Sequence, residues 1–430
     1  MSSARKPDRR RFLKDASTLA AAGAVSASLV NTRMVHAAGS DVIKYALIGC
    51  GGRGMSAAMD AAKAGDNVQL VAIADIFKDR VDYAKGALKQ QLGPKFNVPD
   101  ENCFHDFDAY KQIMATNCDL VLLCTTPHFR PLHLRAAIEA GKHVFCEKPV
   151  AVDAPGVKHV LESTRMAEEK KLNLVSGLCW RYDYGVRETM KRIKDGAIGD
   201  IVSIQENYLT GTLWHRGKRP EWSEMEYQIR NWLYFTWLSG DHNTEQHIHS
   251  LDKALWLMND EPPVSCYGTG GRQVRTGDEW GHIYDHFAVV YEWANGVKCH
   301  AYTRQQADCW NETDDYVYGT KGRARILQFT VEGQEKWKYS GPQPSMYLVE
   351  HQELNRAITE GRVINNGKYM SYSTMMAIIG RMACYTGQRL TWDQAMNSQE
   401  SLTPAKYEWG KVELPPGALA VAMPGKTKFV

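Results

Sequence analysis

Ile43-Lys44-Tyr45-Ala46-Leu47-Ile48-Gly49-Cys50-Gly51-Gly52-Arg53-Gly54 carries the strongest local pattern in the chain. Its first six residues form a short apolar run, the pattern of a buried strand, and a glycine-rich turn follows at once. An Ala-rich segment from Met55 to Ala64 then reads as a helix, and a second apolar run, Val68 to Ala74, ends in Asp75. Strand, glycine turn, helix, strand and acid in this order form a dinucleotide-binding fingerprint. Gly49 permits the tight turn, Gly51 lets the backbone approach a pyrophosphate, and Gly54 lets the helix pack on the strand. Unpaired N–H groups at the helix start, around Gly52 and Arg53, are donors for the phosphates. Asp75 stands 21 residues beyond Gly54. A carboxylate there accepts from the ribose 2′-hydroxyl and repels a 2′-phosphate, which favours NAD over NADP.

The alternation continues outward. Leu120 to Cys124 reads as a strand ending at Thr125-Thr126-Pro127-His128, and Pro131 to Ala140 as a helix. His143 to Cys146 is another strand, closed by Glu147-Lys148-Pro149. Ligands of open parallel sheets bind at the carboxyl ends of the strands. Thr125, Thr126, Pro127, His128, Glu147 and Lys148 are therefore expected at the cofactor.

The 430 residues suit two domains, and 44 % hydrophobic with 23 % charged residues is an ordinary globular balance. Ahead of the fingerprint, Arg9-Arg10-Arg11-Phe12-Leu13-Lys14 precedes a mildly apolar Ala/Ser/Gly stretch, Ala16 to Val30. Val35-His36-Ala37-Ala38 then offers a small-residue cleavage site. These three parts in order predict a signal peptide over residues 1–37 of the twin-arginine type, and hence a periplasmic or otherwise exported protein. Seven Lys/Arg and two Asp leave with that segment, taking the net charge from +3 to −2. A slightly acidic mature chain argues against nucleic acid and anionic membrane as partners. No uninterrupted apolar run has the length of a membrane span. The ten cysteines show neither a Cys-x-x-Cys pair nor zinc spacing, and Cys50, Cys124 and Cys146 read as buried free thiols.

Taken together, Gly49-x-Gly51-x-x-Gly54 and Glu147-Lys148-Pro149 closely resemble the glucose–fructose oxidoreductase and inositol dehydrogenase family, Gfo/Idh/MocA, over about residues 41–390. The resemblance implies an α/β protein: an N-terminal Rossmann domain (41–170) and a C-terminal α+β domain with a large, mostly antiparallel open sheet (171–345). Helices in 346–390 then return to the first domain, and a tail (391–430) shows no chemistry. It implies NAD as cofactor, Lys148 beside the nicotinamide and the reacting hydroxyl, and Trp180 and Arg181 near the nicotinamide. It further implies a carbohydrate substrate and a homo-oligomer formed through the open sheet face. A second family signature corresponds to Ser239-Gly240-Asp241-His242-Asn243-Thr244-Glu245-Gln246-His247-Ile248-His249-Ser250-Leu251-Asp252. His249 and Asp252 match it, whereas Glu245 replaces an aspartate and His247 a glycine.

The residues support a site there without the family. Glu245 to Met258 reads as one helix with Ile248, Leu251, Leu255 and Met258 as its apolar stripe. Glu245, His249 and Asp252, spaced i, i+4, i+7, share another face, and His247 points elsewhere. Residues 214–237 are rich in aromatics, including Trp214, Trp222, Trp232 and Trp237. Indole faces stack on sugars and Arg230 suits hydroxyls or a carboxylate, so Arg230, Trp232, Glu245, His247 and His249 are expected at the substrate. Packing of those aromatics in a core is the simpler reading for any single one.

These residues predict hydride transfer between a carbinol carbon and nicotinamide, and the resemblance implies that the carbon belongs to a sugar or polyol. Lys148, Glu245 and His249 are its catalytic set, with His249 as general base. Three alternatives stay open. One is an NAD-dependent glycosidase that oxidises a sugar transiently to drive elimination, with no net redox. Another is a non-catalytic sugar or nucleotide sensor. The third is a metal held by His242, Glu245, His247 or His249, disfavoured because His-x-His rings diverge on a helix; no metal is expected.

Overall fold

The computed structural model describes residues 42–430, so the export signal expected in 1–37 lies outside the described residues. Strands β1 (Ile43–Ile48), β2 (Val68–Asp75), β3 (Cys103–His105), β4 (Leu120–Leu123), β5 (His143–Cys146) and β6 (Leu174–Ser176) form one parallel sheet in the order β3-β2-β1-β4-β5-β6. Both faces are covered, so the strands are apolar on both sides. Tyr45 and Leu47 pack with Ala57, Ala58 and Ala61 of the helix Gly52–Lys63. Ala46 and Ile48 pack on the other side with Leu134 and Ala137 of the helix Arg130–Glu139. The strand order reverses between β1 and β4, which opens a crevice at their carboxyl ends. Strand β6 belongs to this sheet, so the boundary expected at residue 170 falls before its last strand.

The second sheet has nine strands: β7 (Ile201–Thr210), β8 (Ser265–Gly271), β9 (His286–Glu292), β10 (Lys298–Gln305), β11 (Glu312–Gly319), β12 (Gly322–Arg325), β13 (Thr330–Glu332), β14 (Lys336–Lys338) and β15 (Leu390–Thr391). Their order is β14-β13-β12-β11-β7-β10-β9-β8-β15, and only the β7–β10 pairing is parallel. Asn295-Gly296 makes the turn of the β9–β10 hairpin, with Lys298 opposite Glu292. Period-two alternation sends Ile204, Val289, Tyr291, Cys299, Ala301 and Val317 inward against the helices Ile248–Leu257 and Gly367–Thr386. The other face leaves Tyr267, Tyr302 and Tyr318 exposed.

Helix Gly367–Thr386 is apolar nearly all round and buried along its length, the condition of a helix with neighbours on every side. It packs on β8 and on the first domain's helix Ala154–Glu169, so one apolar cluster crosses between the domains. No described helix is long and apolar enough to cross a membrane. All ten cysteines are free thiols; Cys50 and Cys146 are buried and Cys124 is half-buried.

Candidate active site

The glycine turn is built as its residues require. Gly49 has φ +101°, and a Cβ there would sit 2.6 Å from the Cys124 backbone. A Cβ on Gly54 would lie 1.8 Å from the Gly49 carbonyl oxygen, so only glycine lets the helix come this close to β1. A Cβ on Gly52 would meet nothing within 4 Å. Met55 makes the first backbone bond of the helix, to Gly51 O at 2.9 Å, and no side chain caps the end. The N–H groups of Gly52, Arg53 and Gly54 are therefore free for phosphate oxygens.

They open on a cavity of about 370 Å³ lined by Gly49, Gly51 to Gly54, Asp75, Thr125 and Thr126. Thr126 Oγ1 is buried without a partner, a polar group awaiting a ligand. Asp75 is held rigidly: its carboxylate accepts from Cys50 N at 2.7 Å and Phe77 N at 3.0 Å. Each oxygen keeps a lone pair for a ribose hydroxyl. Burial pushes the Asp75 pKa up, and those two N–H groups oppose the shift. Free donors, a concave wall and a placed acid fit a dinucleotide.

Lys148 leaves the end of β5 before a cis Pro149 and crosses to the other domain. Its Nζ donates to Glu245 O at 2.7 Å and to Glu245 Oε1 at 3.1 Å, with the two side chains 14 % and 17 % exposed. His249 stands one turn further on, its Nδ1 buried and unpartnered. Burial holds its pKa well below the ordinary imidazole value, and the charges of Lys148, Lys253 and Arg53 add to the depression. A neutral imidazole, an aimed ammonium and a carboxylate thus converge from two domains.

The first domain matches the oxidoreductase family with an NAD-binding Rossmann fold over residues 43–177, and residues 186–325 match the Gfo/Idh/MocA C-terminal domain. The chain belongs to this family. Inositol 2-dehydrogenase of Pseudomonas syringae pv. syringae is 31 % identical over 66 % of this chain and 74 % of its own length. The 2,7-anhydro-N-acetylneuraminate hydratase of Escherichia coli K12 is 28 % identical over 51 % and 54 %. The WlbA dehydrogenase of Bordetella pertussis, solved with NADH and UDP-GlcNAcA, shares the fold with TM-score 0.62 and 21 % identity over 81 % and 98 %. The protein is an NAD-dependent oxidoreductase, and when bound, NAD supplies the hydride acceptor or donor at nicotinamide C4.

Several expected site residues of this family member sit elsewhere. The helix expected to start at Glu245 starts at Ile248; Glu245 ends a separate turn, His242–Glu245. Long-range ties set this break: Gln246 is held by Gln305 at 2.7 Å, and Asp241, at φ +70°, accepts from Tyr284 N and Tyr385 Oη. Asp252 turns away from the cleft, pairing with Arg181 at 2.9 Å and accepting from Ser373 at 2.7 Å. Arg181 also holds Asp260 and lies 3.8 Å over the Tyr369 ring, so its guanidinium is committed inside the second domain. Trp180 packs beside it, with Lys253 Nζ 5.4 Å from its ring.

Arg53 lines the cavity, but its charge is matched by Glu147 and Glu350, which tethers the glycine turn to the residue before Lys148. Pro127 and His128 are buried and absent from the cavity wall, where Phe129 and His133 stand instead. His128 bonds the Tyr407 hydroxyl at 2.8 Å and meets the Trp237 ring edge-on. His247 is buried, bonded to Asn243 at 3.0 Å, with Nε2 unpartnered. Arg230 pairs with Asp79 and Glu226, and Trp232 lines the nucleotide cavity; neither contacts Lys148, Glu245 or His249.

Tyr208, unnoticed in the sequence, projects from β7 beside His247, and burial together with Glu245 pushes its phenol to about 12. The alternation of Ile204, Glu206 and Tyr208 on one strand face was the signal for it. Beneath the His249 helix lies a second unanticipated group: Glu206, Asp315 and Lys253, each fully buried.

Proposed function

We propose that this protein oxidises or reduces one carbinol carbon of a sugar, polyol or sugar derivative, with Lys148, Glu245 and His249 as its catalytic set. The observation that carries this reading is the contact of Lys148 with Glu245 across the domains, beside a neutral His249. In the oxidative direction His249 accepts the hydroxyl proton, and the Lys148 ammonium stabilises the oxygen as negative charge develops. An imidazolium next to Lys148 is unfavourable alone; the alkoxide formed near both cations offsets that repulsion. Glu245 aims the ammonium, and the half-buried Tyr208 is assigned to a substrate hydroxyl, a role the fully buried His247 does not share. Incubation with a panel of sugars, polyols and glycosides, following NADH absorbance and released aglycone, tests the reading. NADH formed or consumed in step with a free sugar or polyol supports it, and turnover with no net change in NADH refutes it.

The second reading is elimination through transient oxidation, favoured by the similarity to a protein named as a hydratase. That chemistry returns the hydride to the same substrate, so it releases product with no lasting NADH.

Two further proposals concern the whole protein. Export by the twin-arginine route rests on Arg9-Arg10 and the segment behind it. Replacing both by Lys is expected to retain the protein in the cytoplasm, and unchanged export would refute it. Self-association through the second sheet rests on its exposed tyrosine-bearing face. Sedimentation of Tyr302→Glu/Tyr318→Glu is expected to give a monomer.

A further inference from the structure

The nucleotide cavity has two walls, and the second comes from the other domain. Facing Asp75, Phe77 and Phe107 are Trp214, Arg216, Ile229 and Trp232. The loop carrying Trp214 and Arg216 is fastened in place rather than laid loosely over the opening. The Tyr234 hydroxyl donates to Leu213 O at 3.1 Å and Trp214 O at 2.8 Å. The fully buried Asn231 side chain accepts from Arg216 N at 2.9 Å and donates to Gly217 O at 3.1 Å. Arg230 then joins this layer to the first domain, bonding both oxygens of Asp79 at 3.1 Å with its guanidinium 3.9 Å over the Phe77 ring. Trp409 of the C-terminal tail stacks on Phe77 with ring centroids 5.6 Å apart and lies against Phe107.

Arginines reach this chamber from both domains. Arg230 has its carboxylates, and the charge of Arg80 acts on Asp75 and Asp79 from beyond contact distance, but among the described residues Arg216 makes no ion pair. Arg80 reaches over the glycine turn, with Nη1 3.3 Å from where a Gly51 Cβ would stand. Arg216 is close enough to Arg80 and Arg230 for their charges, after burial, to lower its pKa. Half-buried Arg80 and exposed Arg216 thus line one cavity from the two domains, and Arg216 has no carboxylate of its own, which suits an anion held between them.

We propose that the second domain completes the cofactor site: Arg80 and Arg216 neutralise the pyrophosphate from opposite walls, and Trp214 and Trp232 close over the adenosine. This rests on the NAD assignment and extends it to residues outside the glycine-turn fingerprint. The consequence is slow nucleotide release, since opening the site requires a loop held by two buried side chains to yield.

Release is measured on the full chain loaded with NADH and chased with excess NAD, following the loss of tryptophan-to-NADH energy transfer. Arg216→Gln is expected to speed release about 10- to 100-fold, the value of one charge-assisted hydrogen bond. Arg80→Gln, which leaves the loop untouched, is expected to do the same. Calorimetry with fragments supplies a second readout: both variants weaken ADP-ribose and leave nicotinamide riboside, which lacks the phosphates, unchanged. Release at the wild-type rate from both variants overturns the proposal. So does a wild-type protein that prefers NADP and loses only that preference in Arg216→Gln, because the cations then serve a 2′-phosphate. A wild-type chain that binds neither NAD nor ADP-ribose removes the cofactor assignment itself, a result distinct from wild-type release in the variants.

Discussion

Replacing Glu206 by Gln offers the sharpest test of the electrostatics under the catalytic helix. Glu206 and Asp315 are direct partners across antiparallel β7 and β11, and both are fully buried. One ammonium serves them: Lys253 Nζ lies 3.1 Å from Asp315 and donates to the His249 carbonyl at 2.7 Å. Two carboxylates with one cation in a dry layer leave one of them protonated. Burial, then the neighbouring Asp315, raises the Glu206 pKa well above the ordinary carboxylate value, against the opposing charge of Lys253. A raised folded pKa means that the folded chain keeps a proton the unfolded chain releases. The associated stability is complete below the unfolded value near 4.5 and is lost as pH rises toward the folded value. Each pH unit in that window costs about 1.4 kcal/mol. Glu206→Gln places a neutral isostere there and abolishes the slope. Urea unfolding by tryptophan fluorescence at pH 5, 7 and 9 is expected to show the variant gaining on the wild type as pH rises. Lys253→Met works in the opposite sense: it strands two carboxylates, costs about 3–5 kcal/mol, and costs less at pH 5 than at pH 9. A Glu206→Gln protein weakened equally at every pH would mean that Glu206 is ionised in the fold, with no proton held between the two carboxylates.

Lys148→Ala and His249→Ala are each expected to lower turnover about 10²- to 10⁴-fold, with little change in NAD affinity by calorimetry. The double variant should be scarcely slower than either, because the pair acts on one oxygen; multiplicative losses would separate their roles. Buried imidazoles set the acid limit of the fold: burial holds His128, His133, His247 and His351 at about 3 and His282 at about 4. These depressed values contribute stability above the unfolded value near 6.5 that is lost as pH falls, so unfolding is expected to set in below about pH 6. His351→Leu removes a ring with both nitrogens unpartnered, and its acid midpoint, followed by circular dichroism, should move to lower pH. A midpoint that stays or rises would contradict this.

The nucleotide half could be read from the chain because its determinants are local. Gly49, Gly51, Gly54 and Asp75 do their work within about thirty consecutive residues, where spacing alone fixes geometry. The second half is decided by partners far away in sequence. The helix break at Gln246-His247 depends on Gln305, Tyr284 and Tyr385, none of which a periodicity count can see. The same holds for the tail, where no motif marks Tyr407 and Trp409, yet they brace His128, Phe77 and Phe107 beside the nucleotide cavity. Lys148 and Arg181 show why a cation's role resists reading from its own neighbours in the chain. Each lies just past a strand of the parallel sheet, and each was expected at the nicotinamide. Arg181 meets Asp252, whose side chain is 1 % exposed, so that pair is sealed inside the second domain. Lys148 meets Glu245 at 17 % exposure, and an ammonium held at that depth still reaches a ligand entering the cleft. What separates an internal brace from a catalytic candidate here is the burial of the opposing carboxylate, a property of the folded chain.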